Sequence, residues 1–113
     1  MAFRILAAAA ALWAAAAIAA EKPTQFWNLT SSTVVGFKLS HAGSGEYGEN
    51  LAASDADGVD HDERLKINDI PTGRYDAELK YKNGRTCFTH NIEIVAGKVF
   101  SIEDKALTAC SKK

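Results

Sequence analysis

Apolar residues follow two patterns in this chain: an unbroken run over residues 5–20, and an alternation of apolar and polar positions from Phe26 onward. The run follows a single cation, Arg4, is rich in alanine and ends at small residues. A short cationic segment, an apolar stretch and a small-residue boundary are the three parts of a secretory signal peptide. Residues 1–20 are therefore predicted to be a cleaved signal peptide, which leaves no stable membrane anchor because the run is too short and too alanine-rich to be retained in a bilayer.

The alternation is clearest from Arg74 to Lys82, where every odd-numbered residue is apolar or aromatic and every even-numbered residue is charged. This period of two is typical of a half-buried strand. The next two residues, Asn83 and Gly84, are the preferred pair for a type I′ turn, since both tolerate a positive φ. The pattern therefore predicts a hairpin whose second strand begins at Arg85.

That second strand is predicted to run from Arg85 to Ala96. Successive side chains of a strand point to opposite faces, so its apolar positions should share the core-facing side. The residues predicted on that side are Phe88, His90, Ile92 and Ile94. The large aromatic residues predicted to fill the core are Phe37, Tyr75, Tyr81, Phe88 and Phe100.

Further strands are predicted over residues 25–30, 34–40, 65–70 and 98–103, with Gly36 indicating a bulge in the second of these. Residues 104–110 are compatible with one helical turn or an extended tail, and no segment after the leader has a helical apolar stripe. Short strands in close succession favour a sandwich or an open barrel. The predicted fold is all-β: a small antiparallel β-sandwich of six or seven short strands, forming a single domain over residues 25–110.

Composition narrows the functional classes. Removal of the leader takes away Arg4 and leaves 12 basic and 14 acidic residues, and the basic residues are spread singly except for the terminal pair Lys112 and Lys113. Nucleic-acid binding usually needs a clustered basic surface, so no nucleic-acid partner is expected.

The chain has two cysteines, Cys87 and Cys110, and both follow the leader. In an oxidising compartment they are expected to form one disulfide, because the wide spacing lacks the Cys-x-x-Cys pattern of redox pairs. The protein is accordingly predicted to be exported, to the periplasm or out of the cell.

Three short motifs carry a likeness to a known group of proteins. They are Tyr47-Gly48-Glu49-Asn50-Leu51, Gly73-Arg74-Tyr75-Asp76 and Asn83-Gly84-Arg85-Thr86-Cys87. With these motifs the chain resembles a family of small exported bacterial β-sandwich domains of the prealbumin-like type, which have no assigned function. Two departures are Tyr47, where tryptophan is expected, and the acidic insertion between Asp55 and Glu63. The resemblance implies the architecture and the compartment, and it implies no catalytic residue.

Half of the 14 acidic residues lie in residues 46–63, here called the acidic loop, and no Lys or Arg lies between Lys38 and Arg64. Hard oxygen ligands suit Ca²⁺, but the positions do not fit the ligand spacing of an EF-hand. The loop is therefore interpreted first as a solvated segment, and a looser Ca²⁺ site is an alternative; no other cofactor is expected. The ligands of such a site would be Asp55, Asp57, Asp60, Asp62 and Glu63.

Catalytic motifs such as a nucleophile elbow are missing from the sequence, so the protein is predicted not to be an enzyme. The function favoured is an exported binding or interaction module with a protein or glycan partner. Trp27 and Tyr47 are the residues predicted to contact that partner. The alternatives are a Ca²⁺-dependent module, an inhibitor that inserts the loop from His41 to Glu63 into a periplasmic or host enzyme, and a small hydrolase.

Overall fold

The computed structural model describes residues 22–112. The predicted signal peptide over residues 1–20 lies outside the described residues. Within the described residues, six strands follow one another: β1 (Thr24–Leu29), β2 (Val34–His41), β3 (Arg64–Ile67), β4 (Gly73–Tyr81), β5 (Thr86–Ile94) and β6 (Val99–Glu103), and a 3-10 turn follows at Asp104–Ala106. The all-β prediction is confirmed. Within residues 22–112, no helix has the length and apolar character to cross a membrane.

The strands form two three-stranded sheets that pack face to face. Sheet I has the order β3-β1-β6, and sheet II has the order β2-β4-β5. All pairs are antiparallel except β1 with β6, which run parallel with Phe26 opposite Phe100. The expectation of a purely antiparallel sandwich is wrong for this pair. In the turn after β5, the Lys98 amide donates a hydrogen bond to the Val95 carbonyl. This turn leads the chain to sheet I, so β5 and β6 do not form a hairpin within sheet II.

The core lies between the sheets and is centred on three phenylalanine rings. Phe26 and Phe37, from opposite sheets, stack with 4.2 Å between ring centroids, and the Phe100 ring lies 5.8 Å from that of Phe26. The remaining buried apolar side chains come from both sheets and from the acidic loop: Val34, Leu39, Ala52, Val59, Leu65, Ile67, Tyr75, Ala77, Leu79, Tyr81, Cys87, Ile94 and Ile102.

The predicted hairpin joins β4 to β5, but its turn differs from the predicted type. Gly84 has a positive φ of 93°, and Asn83 does not adopt a positive φ. The Tyr81 amide donates to the Arg85 carbonyl and the Gly84 amide donates to the Tyr81 carbonyl, which gives a three-residue loop. The Asn83 side chain accepts a hydrogen bond from the Arg85 amide, so its role is to cap the loop rather than to supply a second left-handed residue.

The first half of β5 faces the opposite way from the prediction. Cys87 and Thr89 are buried, whereas Phe88 is half-buried on the outer face and His90 is exposed. The partners of Cys87 and Thr89 on β4 are Leu79 and Ala77, which point into the core, and paired residues of adjacent strands share a face.

A bulge explains why the alternation failed. The register shifts between Tyr75 and Ala77 on β4, and Asn91 on β5 has a φ of 59°. The bulge adds one residue to β5 between Thr89 and Ile92. This additional residue reverses the side-chain alternation of β5, so that Ile94 points into the core. The placement of Phe88 and His90 on the core side is therefore wrong, while the bulge predicted near Gly36 is confirmed by a register shift in the β2–β4 pair.

Candidate functional site

Three aromatic side chains line up on the outer face of sheet II. Tyr47 comes from the loop after β2, and Phe88 and His90 come from β5. The Tyr47 and Phe88 ring centroids are 6.0 Å apart with 59° between the ring planes, and the Phe88 and His90 rings are nearly parallel at 6.4 Å. We call these three side chains the aromatic row. Tyr47 and Phe88 are half-buried and His90 is exposed, so solvent reaches the row.

The loop that carries Tyr47 is fastened along the edge of β2. The Gly48 amide donates to the Leu39 carbonyl and the Leu51 amide donates to the Phe37 carbonyl. The Asn50 side chain accepts from the Phe37 amide. These bonds cover an edge strand that would otherwise be open, and they fix the position of Tyr47, which directly precedes the fastened segment.

Asp76 holds together the two segments that bear the aromatic row. Its carboxylate accepts hydrogen bonds from the Gly43 amide at 3.0 Å and from the Asn91 amide at 2.9 Å, and it lies 3.4 Å from His90 Nδ1. The two backbone donors hold the pKa of Asp76 below its ordinary value, against the opposing effect of burial. Asp76 therefore ties the loop after β2 to the bulge of β5.

Negative charge lies beside the Tyr47 phenol. Burial raises the pKa of Tyr47, the Ser40 hydroxyl opposes this effect, and the charges of Asp76 and Glu78 add to it. Glu78 is half-buried on the outer face of β4, between Phe88 on one neighbouring strand and Lys38 on the other. In the part of the chain that the structure describes, the Glu78 carboxylate makes no hydrogen bond and no ion pair within 4.0 Å.

A cleft of about 450 Å³ lies on the outer face of sheet II, and the side chains of the aromatic row do not line it. Glu78, Lys38 and Lys80 contribute its charged lining. Lys80 pairs with Gly36 and Thr86, one row further from Tyr47 than Glu78. The outer face of sheet II is thus divided into an aromatic and acidic part next to Tyr47 and a basic part beyond Glu78.

Trp27, the other predicted contact residue, lies on the outer face of sheet I. The Arg64 guanidinium carbon is 4.7 Å from the centre of the Trp27 ring, and Trp27 Nε1 donates to Asp62 Oδ1 at 3.0 Å. The two sheets place Trp27 and Tyr47 on opposite outer faces, so the structure does not bring these residues into one surface. Arg64 and Asp62 already occupy the polar and cationic contacts that Trp27 can make.

The five acids predicted as Ca²⁺ ligands are spread over the acidic loop. Asp60 accepts a hydrogen bond from the Thr33 hydroxyl, Asp62 accepts one from Trp27, and Glu63 accepts one from the Asp60 amide. Asp55 is half-buried and Asp57 is exposed. Among residues 22–112, no group of three His, Cys, Asp or Glu side chains is arranged to hold a metal ion. A Ca²⁺ site in this loop stays a prediction.

The predicted disulfide between Cys87 and Cys110 is present. It fastens the C-terminal segment onto β5, where Phe88 and Thr108 exchange two backbone hydrogen bonds. The tail thereby covers the first half of this edge strand, next to the aromatic row.

Phe88, Asp76 and His90 were not anticipated as surface residues of a common site. The signal that could have found Phe88 is its pairing with Glu78, because the strict alternation of β4 places Glu78 outside and a cross-strand partner must share that side.

No protein-family model, curated protein or solved structure that was compared with the chain matches it.

Proposed function

We propose that this protein is an exported, non-catalytic binding module that contacts its partner through the outer face of sheet II. The observation that supports the proposal is the aromatic row, in which Tyr47 and Phe88 present two rings on the surface of a sheet whose core is already filled by other residues. Aromatic side chains set among polar ones are enriched at the centres of protein contact surfaces.

Export is part of the proposal. The cationic and apolar pattern of residues 1–20 supports it, and a disulfide between Cys87 and Cys110 is compatible with an oxidising compartment such as the periplasm or the cell exterior. The resemblance to exported prealbumin-like domains agrees with the same proposal and adds no catalytic role.

Site-specific photo-crosslinking tests which face is used. A photoreactive phenylalanine analogue replaces Tyr47 or Phe88, and a matched control replaces Val99, which is 42% exposed on the outer face of sheet I. The protein is expressed in its own host and irradiated in intact cells. We expect specific adducts from positions 47 and 88 and none from position 99. Adducts from position 99 alone, or none from any position, would contradict the proposed face.

A further inference from the structure

We infer that the corner formed by Tyr47, Phe88 and Glu78 binds the guanidinium group of an arginine side chain presented by a partner protein. This inference rests on the proposed function, because it assigns the chemistry of the partner that meets the outer face of sheet II.

The rings of Tyr47 and Phe88 form one side of the corner. Their planes differ by 59° and their centroids are 6.0 Å apart, so the rings enclose an angle instead of stacking in full contact. Aromatic faces carry the negative part of the ring quadrupole and attract cations that lie within about 6 Å of the centroid. In residues 22–112, no Lys or Arg of the chain occupies such a position over Tyr47 or Phe88; the only such contact is the one at Trp27.

The acid forms the other side of the corner. Glu78 is the cross-strand neighbour of Phe88, and its charge acts on Tyr47 together with that of Asp76. The Asp76 carboxylate is already engaged by the Gly43 and Asn91 amides, whereas the half-buried Glu78 carboxylate has no partner among the described residues. A donor brought by a ligand can therefore pair with Glu78 without displacing a bond within the protein.

The opposite face of the molecule shows the same combination with its cation present. There an aromatic ring, an acid and an arginine come together as Trp27, Asp62 and Arg64, with the guanidinium 4.7 Å from the ring centre. On sheet II the rings of Tyr47 and Phe88 lie near the acid Glu78, and no Lys or Arg among residues 22–112 lies over either ring. The arrangement at Trp27 within the same molecule indicates the kind of group that an aromatic ring beside an acid suits.

Guanidinium fits the corner better than a lysine ammonium or a quaternary ammonium. It is planar and stacks on rings, and its N–H groups can donate two bonds to one carboxylate. A quaternary ammonium has no donor for Glu78. The nearby Lys38 and Lys80 favour a partner in which an acidic residue accompanies the arginine, because these lysines line the basic part of the same face.

Titration of the ¹⁵N-labelled protein, as its host produces it, with N-acetyl-arginine amide tests the chemistry directly. The citrulline analogue is the control ligand, since its urea group has the shape of guanidinium without the charge. We expect the arginine probe to shift the amide signals of Tyr47, Glu78 and Phe88, and the citrulline probe to have little effect. Equal shifts with both probes, or shifts elsewhere only, would overturn the inference.

Two variants measure how much the acid and the ring each contribute to binding of the arginine probe, and a third variant serves as the matched control. Glu78→Gln keeps the size of the side chain and removes its charge, Tyr47→Leu keeps an apolar side chain and removes the ring, and Glu93→Gln alters an exposed acid at the far end of β5. We expect each of the first two to raise the dissociation constant of the arginine probe about fivefold, and the control to leave it unchanged. An unchanged constant in Glu78→Gln, with an unchanged far-ultraviolet circular dichroism spectrum, would refute the role of the acid.

The crosslinked adducts separate failure of this inference from failure of the proposed function. Mass spectrometry of the adducts from positions 47 and 88 should identify partner peptides that contain arginine. Adducts with glycan, or with peptides that lack arginine, would retain the proposed face and refute the guanidinium assignment. Absence of adducts at both positions would count against the proposed face as well.

Discussion

Replacement of Asn28 by alanine should be among the most damaging single changes in this protein. Asn28 is 0% exposed, and its side chain makes four hydrogen bonds: Nδ2 donates to the Ser32 and Val59 carbonyls, and Oδ1 accepts from the amide and the hydroxyl of Thr30. The Thr30 hydroxyl in turn accepts from Tyr81, so the network connects β1, the acidic loop and β4.

The magnitude follows from the groups that lose their partners. In Asn28→Ala, the Val59 carbonyl keeps the Val34 amide and the Thr30 hydroxyl keeps Tyr81. The buried Thr30 amide and hydroxyl both lose Asn28 Oδ1 as their acceptor, and the part-buried Ser32 carbonyl loses a donor. Each buried donor left without an acceptor costs about 1–3 kcal/mol, which gives about 4 kcal/mol for the two Thr30 groups. A domain of this size unfolds with about 5–14 kcal/mol, so the variant should lose a large part of its stability.

Urea unfolding followed by circular dichroism measures this loss. The matched control is Asn68→Ala, because Asn68 is exposed and its side chain makes no hydrogen bond within residues 22–112. We expect the control to remain within about 0.5 kcal/mol of the wild type. A loss of less than about 1 kcal/mol in the free energy of unfolding of Asn28→Ala would show that the buried network stabilises the fold less than its hydrogen bonds indicate.

Three further changes test other parts of the structure. Asp76→Asn should destabilise the fold at pH 7, and its difference in stability from the wild type should shrink on acidification. The pKa of Asp76 is lower in the folded protein than its unfolded value of about 3.9, so the carboxylate contributes its full stabilisation above that unfolded pKa. This stabilisation is lost as the pH falls through the folded pKa. Melting curves from pH 7 to pH 2.5 measure this, and an equal difference at both ends would contradict it. Replacement of Cys87 and Cys110 by serine should cost about 3 kcal/mol, since the disulfide closes a loop with a sequence separation of 23, and urea unfolding of the double variant checks the value. If the acidic loop binds Ca²⁺, added Ca²⁺ should raise the melting temperature of the wild type but not that of the Asp57→Asn, Asp60→Asn double variant, whereas equal melting temperatures with and without Ca²⁺ would refute the site.

Local pattern was sufficient for most of the strands. The alternation from Arg74 to Lys82 predicted β4 within one residue at each end, and β4 has that pattern because its inward positions pack on the core while its outward positions meet solvent. The disulfide was also predictable, since a chain with two cysteines has one possible intramolecular pair.

The candidate site was predictable only in part. Tyr47 was anticipated as an exposed aromatic residue, but Phe88 was assigned to the core because an alternation counted back from Ile94 places it there. A bulge at Asn91 reverses that count, and its position depends on the register with β4 and on the Asp76 carboxylate that accepts the Asn91 amide. No feature of β5 considered alone marks the place where the alternation breaks.

Inspection of the sequence was sufficient to predict the short strands, the core built from alternating apolar positions and the pairing of the cysteines, because each of these depends on neighbouring residues or on simple counting. The parallel pairing of β1 with β6, the inward role of Asn28 and the contact of Tyr47 with Phe88 became apparent only from the three-dimensional structure. These features depend on hydrogen bonds and registers between segments that are far apart in the chain, and such contacts are set by the packing of the whole domain.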